Sequence, residues 1–415
     1  MRVPQATKAA AASFLRRAEG HNIATTRTER LRRDPPSPRW LSEAGNAGTV
    51  HARVTLAESP AMSPVTPPAM AIDLRSDTVT RPTDAMLDAM RGATFGDDSR
   101  EGDPTVVRLE ELAARRTGKE AGLFLVSGTM GNLVALLAHA GRGGEVVCEA
   151  NSHILRSELG GIAALAGLFH RAIPGRRGAM DVDAVGEAIN PSLLPNRLAT
   201  ALICVETTHN DAGGAALPLA HLAAVHALAR AHGIPVHIDG ARLFNAAVAL
   251  GVDAAAIAAH GDSVTFCISK GLSAPVGAVL AGSRDFIARA RAWRRMVGGN
   301  LRQSGMLAAA GIVALETMVE RLADDHANAR RLAASLHRID PGLVDPARVE
   351  TNIVQVETRA ADFPAADLVA ALKARGVLAG AWSKSVIRLV THRHIGAADI
   401  EAATAAFRDV WRPRG

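Results

Sequence analysis

Five short apolar runs, each followed directly by a polar side chain, constrain the fold of this chain more than any other feature of its sequence. The runs cover residues 121–126, 145–148, 202–205, 235–238 and 263–268. Nearly uninterrupted apolar runs of this length are typical of parallel strands that are covered on both faces of a sheet. Helical patterns lie between them. The sequence therefore predicts an α/β fold with a mostly parallel sheet flanked by helices.

Two of the predicted helices have clear start and stop signals. Asp103 and Pro104 form an N-cap followed by proline at the first helical position, and Gly118 ends the pattern. A second helical pattern covers residues 219–232, between Pro218 and a glycine. These signals support the alternation of strands and helices that an α/β fold requires.

The sequence pattern changes twice, which divides the chain into three predicted regions. Residues 1–69 are rich in Ala, Arg, Pro and Ser without sustained periodicity, and are predicted to be a disordered basic extension. A start codon placed too far upstream is the preferred explanation, with Met62 or Met70 as the real start; a transit peptide or a functional tail are the alternatives. Residues 70–320 are predicted to form a large domain, and residues 321–415 a smaller C-terminal α/β domain.

The net charge of +6 is concentrated in the N-terminal region. Up to residue 70 there are ten basic and five acidic side chains, an excess of +5, so the remaining chain is nearly neutral. This distribution argues against a basic nucleic-acid-binding face on the folded part. A nucleic-acid-associated protein is the alternative to an enzyme. This alternative is supported only by the basic charge of the N-terminal region.

The cysteines and the hydropathy indicate the compartment. Cys148, Cys204 and Cys267 are odd in number and lie in three of the apolar runs, without the paired spacing of a zinc site. They are expected to be reduced thiols of a cytoplasmic protein, with neither disulfides nor a metal site. No apolar stretch has the length that spans a bilayer, so no membrane partner is expected.

The first apolar run leads into a candidate phosphate-binding turn. Ser127, Gly128 and Thr129 follow the run and precede a helical pattern beginning near Asn132. Free N–H groups and the helix dipole would therefore point at one spot. An ordinary turn is the alternative. Nucleotide-binding loops are excluded, because neither a Gly-Lys-Ser/Thr sequence nor a Gly-x-Gly-x-x-Gly turn is present.

Two further apolar runs end in residues that could act on a pyridine ring and an aldehyde. Asp239 follows the fourth run, where it could keep a ring nitrogen protonated or, as the alternative, cap the next helix. Lys270 follows the fifth run, where a partly desolvated amine could attack a carbonyl. The other lysines lie in the N-terminal region, after a helix stop, on a helical segment and before a strand: Lys8, Lys119, Lys373 and Lys384.

A phosphate-binding turn, a strand-end aspartate and a strand-end lysine, in this order, are the parts that a pyridoxal 5'-phosphate site needs. The lysine comes about thirty residues after the aspartate. This order and separation resemble those of fold-type I enzymes. The sequence therefore predicts pyridoxal phosphate as the cofactor.

From residue 70 to the C-terminus the chain resembles the L-threonine aldolases of the aromatic β-eliminating lyase group. The motifs that carry the resemblance are 72–80 (IDLRSDTVT), 96–98 (GDD), 102–106 (GDPTV), 206–210 (ETTHN), 237–242 (HIDGAR), 269–272 (SKGL), 298–305 (GGNLRQSG) and 387–392 (IRLVTH). The resemblance implies cleavage of L-threonine, L-allo-threonine or both to glycine and acetaldehyde, in threonine catabolism and glycine biosynthesis. Another fold-type I lyase activity on β-substituted or β-hydroxy amino acids, or transamination, is the alternative within enzymes.

The resemblance also implies roles for the cofactor-binding residues. Lys270 matches the Schiff-base lysine, and Asp239 matches the partner of the pyridine nitrogen. Gly128 and Thr129 match the phosphate-binding turn. Arg302 matches an arginine that reaches the phosphate from a neighbouring subunit, which implies a homodimer or homotetramer with shared active sites.

The remaining implied roles concern the substrate. Ser76, Arg242 and Arg388 match residues that bind the substrate carboxylate, a task suited to a planar guanidinium, and Arg242 also borders the cofactor. His209 matches the histidine near the substrate hydroxyl and is the first candidate for the base. His153 matches the histidine stacked on the cofactor ring and is the second. A hydrogen-bonded loop residue and a core-facing histidine, respectively, are the alternatives.

One position departs from the family pattern. Arg100 lies where many relatives have a tyrosine, and the chain contains no tyrosine. The reaction class does not depend on this position. The preference between threonine and allo-threonine, or for bulkier β-hydroxy amino acids, is left open by it.

Overall fold

The computed structural model describes residues 71–359 and 363–412. The predictions for residues 1–69 lie outside these ranges.

The described residues form α-helices and β-strands that alternate along most of the chain. The strands are β1 Ile72–Asp73, β2 Ala121–Leu125, β3 Glu145–Glu149, β4 Phe169–Ile173, β5 Gly175–Arg176, β6 Ala179–Met180, β7 Thr200–Glu206, β8 Val236–Asp239, β9 Ser263–Cys267, β10 Ala278–Gly282, β11 Ile353–Glu357, β12 Val377–Leu378, β13 Gly380–Ala381 and β14 Val386–Val390. The helices are α1 Asp84–Arg91, α2 Pro104–Thr117, α3 Gly128–His139, α4 His153–Arg156, α5 Gly161–Ala164, α6 Val182–Ala188, α7 Leu219–Ala231, α8 Leu243–Leu250, α9 Ala254–Ala258, α10 Arg284–Met296, α11 Gly305–Thr317, α12 Leu322–Ile339, α13 Ala365–Lys373 and α14 Ala397–Val410.

A central sheet contains all five predicted strands, and the prediction of a mostly parallel α/β fold is confirmed. Its strand order is β2-β10-β9-β8-β7-β3-β4. Pairing is parallel from β9 through β4, and β10 is antiparallel to both of its neighbours. Every residue of β3, β8 and β9 is buried, as expected for strands covered on both faces.

The geometry of the sheet gathers several strand ends at one edge. Since β2 and β9 both run antiparallel to β10, they point in the same direction. The carboxyl ends of β2, β9, β8, β7 and β3 therefore lie along the same edge, which is where ligands bind in open α/β sheets.

Helix α2 shows how the sequence fixes one of the flanking helices. The Asp103 carboxylate accepts hydrogen bonds from the N–H groups of Thr105 (3.0 Å) and Val106 (3.2 Å). Gly118 closes the helix in the left-handed conformation, with φ 63°. The predicted start and stop of this helix are confirmed.

The C-terminal segment has a sheet of its own and forms most of a second apolar cluster, which also includes Leu74. The sheet has the order β11-β14-β13, and α12, α13 and α14 contribute buried residues to the cluster. Strand β1 pairs in parallel with β12, so that Ile72 lies opposite Val377. The predicted domain boundary at residues 320 and 321 stays a prediction. Within the described ranges, no helix combines the length and apolarity needed to cross a membrane.

Candidate active site

The start of α3 offers unpaired backbone donors at the shared edge of the sheet. Ser127 caps the helix by accepting a hydrogen bond from the Met130 N–H (3.2 Å). The N–H groups of Gly128 and Thr129 have no acceptor among the described residues. A Cβ at Gly128 would lie 2.6 Å from Cys267 Sγ, so glycine is required for this close approach to β9. The turn suits an anion such as a phosphate.

Asp239 lies at the end of β8 and is 2% exposed. Its Oδ2 accepts a hydrogen bond from Asn132 Nδ2 (2.9 Å), and its Oδ1 accepts one from the Ala241 N–H (3.1 Å). The N-cap position of the next helix is occupied by Arg242, so the alternative interpretation of Asp239 as that cap is wrong. A buried carboxylate held by neutral donors is suited to stabilising a cation.

His153 and Glu158 lie beside Asp239. His153 Nδ1 is 2.8 Å from Glu158 Oε1, which also accepts a hydrogen bond from Asn132 Nδ2 (2.8 Å). Ligand atoms of His153, Glu158 and Asp239 lie within 4.8 Å of one another. Burial disfavours a charged His153, but its bond to Glu158 and the negative charge of Asp239 raise its pKa. The cluster therefore favours a bound proton or an organic cation.

A chain of neutral groups fixes the orientation of Asn132. The amide oxygen of Asn132 can only accept, so His237 Nε2 donates to it (3.2 Å). The other nitrogen, His237 Nδ1, then accepts from the Ser263 hydroxyl (2.8 Å), which in turn accepts from His139 Nε2 (2.7 Å). Burial lowers the pKa of His237 to about 4 and that of His139 to about 3, so both rings are neutral. The Asn132 amide group is thereby held with its N–H donors toward the two carboxylates.

His209 is 1% exposed, and both of its ring nitrogens have partners. The Ala212 N–H donates to Nδ1 (3.2 Å), and Nε2 donates to Glu149 (3.0 Å). Burial disfavours the charged ring, whereas the bond to Glu149 and the charge of Glu206 raise its pKa. The Ala212 N–H nevertheless requires an unprotonated Nδ1. This is the geometry of a hydrogen-bonded loop residue, the alternative considered for His209.

Arg242 forms a buried ion pair that Ser76 adjoins. Its Nε and Nη2 donate to the two carboxylate oxygens of Asp77 at 2.8 and 2.7 Å, and Asn352 Nδ2 donates to the same carboxylate (3.1 Å). Ser76 precedes Asp77, and its hydroxyl accepts from the Thr78 N–H (3.2 Å). Asp77 therefore neutralises Arg242 and brings Ser76 close to it.

Arg388 converges with Arg242 on one amide oxygen. Arg388 Nη1 lies 2.9 Å from Asn210 Oδ1, and Arg242 Nη1 lies 3.4 Å from the same atom. Burial and the positive charge of Arg242 lower the pKa of Arg388 to about 10. Arg388 forms no salt bridge within the described part of the chain, unlike Arg242 with Asp77. Its positive charge is therefore available to an incoming anion.

Lys270 belongs to the same cluster. Its carbonyl oxygen accepts a hydrogen bond from the Thr80 hydroxyl (2.8 Å), which places the lysine beside the segment that carries Asp77. Burial opposes ionisation of Asp77, but Arg242 and the charge of Lys270 lower the pKa of its carboxyl. The Lys270 amine has no hydrogen-bond partner in the ranges that the structure describes.

Arg302 is not brought into this site within one chain. Its side chain is 68% exposed, donates to the Ser99 hydroxyl (2.7 Å) and lies 3.7 Å from an Asp97 oxygen. The other sequence-predicted residues, by contrast, lie on or next to the shared sheet edge. A role for Arg302 therefore stays a prediction that involves a second chain.

Several polar residues of the site were not singled out from the sequence. Glu149 and Glu206 directly follow apolar runs, which is the signal that identified Asp239. Asp77 and Asn210 lie inside quoted motifs. Glu158 has no such signal, because its partner Asn132 is 26 residues away in the chain and the contact depends on the fold.

Comparisons with known proteins extend over most of the chain. The model of the family described as beta-eliminating lyase matches residues 73–360. A probable low-specificity L-threonine aldolase 2 of Arabidopsis thaliana is 43% identical over 344 residues, which cover 82% of this chain and 97% of the relative. A low specificity L-threonine aldolase of Escherichia coli strain K12 is 43% identical over 338 residues, covering 81% and 98%.

The fold is also similar to that of solved structures. A Leishmania major threonine aldolase superposes with a TM-score of 0.68 at 18% identity, covering 82% of this chain and all of that chain. At this identity the likeness concerns the fold alone. Together with the extent of the family match and the 43% identity to the two aldolases, it leads to one conclusion: the chain belongs to the beta-eliminating lyase family.

Proposed function

We propose that this protein is a pyridoxal-phosphate-dependent lyase that cleaves L-threonine, L-allo-threonine or both to glycine and acetaldehyde. The observation that carries the proposal is that an anion-binding helix start, the buried Asp239 carboxylate and Lys270 follow or end strands at one edge of the central sheet, while the guanidinium groups of Arg242 and Arg388 converge on Asn210, which follows the neighbouring strand β7. Membership of the family and the names of the relatives support it. Another lyase reaction on β-substituted or β-hydroxy amino acids is the second candidate, because the same residues would bind those substrates.

The residues present fit pyridoxal phosphate. The free N–H groups of Gly128 and Thr129 would bind its phosphate, and Lys270 would hold it covalently through the amine. Asp239 would keep the pyridine nitrogen protonated, because an opposite charge at contact distance favours the charged form. Glu158 next to Asp239 adds to the negative charge there. No metal is needed for this assignment.

When bound, the cofactor supplies an electron sink for the pair released as the bond between the α- and β-carbons breaks. Ser76, Arg242 and Arg388 would fix the rotation of the substrate by binding its carboxylate. This rotation decides which bond of the α-carbon is cleaved, so these residues select the reaction.

The base that accepts the β-hydroxyl proton is proposed to be His153 ahead of His209. His153 uses Nδ1 for Glu158, and its Nε2 has no partner in the described residues. Both nitrogens of His209 are engaged with Ala212 and Glu149. Sequence reasoning ranked the two histidines in the opposite order. His209 stays a candidate, because the bond from Ala212 could be exchanged for one to substrate.

A homodimer or homotetramer with shared sites is proposed as the assembly. Arg302 is exposed, and an apolar groove of about 680 Å³ lies beside the start of α3. Its lining includes Ser127, Thr129, Trp293 and Met296, and Met296 is 72% exposed. A second chain that covers this groove could bring its own Arg302 to the phosphate.

A cytoplasmic location is proposed because the three cysteines are buried free thiols. The reaction would serve threonine catabolism and glycine biosynthesis.

The direct test is incubation of the cofactor-loaded protein with L-threonine, with L-allo-threonine and, as a control, with D-threonine. Glycine and acetaldehyde should form in equal amounts from one or both L isomers. Formation of a 2-oxo acid instead would favour the second candidate, and absence of any product from all three would contradict the proposal.

A further inference from the structure

The indole ring of Trp382 covers one face of the Arg388 guanidinium. The guanidinium carbon lies 4.2 Å from the ring centroid, which is within the range of a cation–π interaction. Trp382 follows β13 and lies outside every motif that carries the family resemblance. Its position is therefore a feature of the folded chain that the sequence alone did not indicate.

The ring is held in place from two sides. Its Nε1 donates a hydrogen bond to Asp211 Oδ1 (2.8 Å), and its backbone N–H donates to the Val386 carbonyl (2.8 Å). The Asp211 carbonyl in turn accepts from Gln355 Nε2 (2.8 Å). A ring fixed in this way can restrict the rotamers of the long side chain that lies against it.

The two guanidinium groups of the site differ in what orients them. A carboxylate orients Arg242, and this pairing neutralises its charge. An aromatic face and the neutral Asn210 amide orient Arg388, and neither removes its charge. An aromatic partner thus aligns the guanidinium and leaves its N–H groups and its full charge for a carboxylate from outside the chain.

Trp382 also lines a cavity next to the candidate active site. A cavity of about 170 Å³ is lined by Asn151, His153, Arg156, Ser157, Asn210, Asp211 and Trp382. His153 and Asn210, which respectively adjoin the Asp239 cluster and Arg388, thus share one cavity with the ring. A substrate bound there would place its carboxylate near Arg388.

We infer that Trp382 is a positioning residue for the substrate carboxylate and acts by orienting Arg388. The inference rests on the proposed function, because it concerns an amino-acid substrate. It predicts that loss of the aromatic face weakens binding of ligands that carry a carboxylate and leaves other ligands unaffected.

The test compares Trp382→Leu with Trp382→Phe in the cofactor-loaded protein. Leucine removes the aromatic face, whereas phenylalanine keeps a face but loses the bond to Asp211. Dissociation constants are measured from absorbance changes of the bound cofactor for glycine and for 1-amino-2-propanol, which has the amine and hydroxyl of threonine but no carboxylate. Steady-state assays with threonine give kcat and KM separately.

We expect Trp382→Leu to raise the Kd for glycine and the KM for threonine about 10-fold, or about 1.4 kcal/mol, which lies between the values for exposed and for desolvated cation–π contacts. In Trp382→Leu the kcat for threonine and the Kd for 1-amino-2-propanol should stay within about 2-fold of the original values. The Kd for glycine of Trp382→Phe should lie between those of the original protein and Trp382→Leu. An unchanged Kd for glycine, an equal loss for both ligands, or equal effects of the two substitutions would each overturn the inference.

A matched control is available in Trp411. Its Nε1 donates to Asp340 (2.9 Å), so it also forms a tryptophan–aspartate bond, but outside the site. Trp411→Leu should lower the melting temperature without changing the Kd for glycine. If Trp382→Leu does not fold, Trp382→Phe and Asp211→Ala decide the matter: a glycine Kd unchanged in both overturns the inference.

Failure of the inference and failure of the proposed function give different results. An original protein that binds glycine but cleaves neither threonine isomer would contradict the proposed reaction, while the glycine titrations would still test Trp382. An original protein that binds no glycine would overturn both.

Discussion

Two glutamates hold the two histidines that compete for the role of base, and each histidine can be tested through its own glutamate. Glu158 bonds to His153, and Glu149 bonds to His209. Each bond raises the pKa of its histidine against the opposing effect of burial. A neutral base is required for catalysis, so activity should increase as pH rises through the pKa of the histidine that acts.

We expect Glu158→Gln to move the acid limb of the kcat/KM profile to lower pH, because the hydrogen bond to the Glu158 carboxylate that raises the pKa of His153 is lost. Glu149→Gln, the matched control, should leave that limb in place. The measurement is kcat/KM for threonine from acid to neutral pH. A shift produced by Glu149→Gln alone would identify His209 as the base instead.

The lysine that holds the cofactor can be identified chemically. Borohydride reduction of the loaded protein followed by peptide mapping should place the pyridoxyl group on Lys270, whose carbonyl accepts a hydrogen bond from Thr80 and whose amine has no hydrogen-bond partner in the described residues. Lys270→Ala should not be labelled and should lose at least about 10³-fold in activity, as expected for removal of a covalent catalyst. Label on Lys119, Lys373 or Lys384 would contradict the assignment.

At the residue scale the sequence indicates functional groups at strand ends but not their partners. Asp239 and Lys270 could be singled out because Asp239 ends a buried strand and Lys270 closely follows one, where a polar side chain is unusual. Glu158 and Trp382 could not, because their partners are brought to them by loops and by strands distant in the chain. The sequence-based ranking placed His209 above His153 for the same reason. The hydrogen bonds of His209 to Glu149 and from Ala212, which occupy both ring nitrogens, cannot be predicted from the sequence.

At the scale of the elements, the buried ion pair of Asp77 and Arg242 connects the segment that begins at β1 to the start of α8. Both side chains are buried, and removal of one partner leaves the other charge uncompensated. Asp77→Asn should therefore lower the free energy of unfolding by about 3–5 kcal/mol at pH 7. Urea unfolding of the loaded protein measures this change.

Asp73→Asn is the matched control. Asp73 lies in β1 and pairs with Arg75, whose side chain is 55% exposed, so its loss should cost at most about 1 kcal/mol. A loss of the same size in both variants would contradict the importance of the buried pair.

The pH dependence gives a second check on Asp77. The folded-state pKa of its carboxyl is lowered, so its contribution to stability is fully present above the unfolded pKa of about 3.9 and is lost as pH falls toward the lower folded value. The difference between the original protein and Asp77→Asn should thus narrow as pH falls below about 4. A difference that widened in acid would be inconsistent with this ion pair.

The sheet was predictable in part from its strands. Buried parallel strands have nearly continuous apolar sequences, which identified β2, β3, β7, β8 and β9. β10 is also buried, but its five residues Ala278–Gly282 include two alanines and a glycine. These small residues do not distinguish a strand from a loop or a closely packed helix. Its antiparallel direction depends on how the connection after β9 reverses the chain. The residue types of the strand do not indicate this reversal.

For the whole molecule, the proposed sharing of sites between chains can be tested by mixing two inactive variants. Arg302→Ala and Lys270→Ala should each reduce activity strongly. If Arg302 of one chain serves the site of another, some mixed dimers combine both lesions in one site and leave the other site intact. Activity should then reappear to roughly one quarter of the original level when half of the chains are of each kind.

The same experiment has a clear negative result. Exchange of subunits must first be verified with differently tagged chains, and each parent must be inactive in the assay. No recovery under these conditions would indicate that Arg302 serves its own subunit.

A chain that begins at Met70 is predicted to keep the activity and melting temperature of the full chain. The family match begins at residue 73 and β1 at Ile72, so the elements that build the site all follow this position. The melting temperature should change by less than about 2 °C, which corresponds to about 1 kcal/mol in a chain of this size. A larger fall, or loss of activity, would show that residues 1–69 contribute to the folded protein.

The pairing of β1 with β12 has a consequence for synthesis on the ribosome. Ile72 emerges about 300 residues before its partner Val377, which at typical rates of about 5–20 residues per second is a delay of roughly 15–60 s. During that interval β1, which precedes Ser76 and Asp77, has no partner strand, even after Arg242 and Lys270 have been translated. All strands of the central sheet are translated before β12, so a competent site is expected to form only after β12 has been translated.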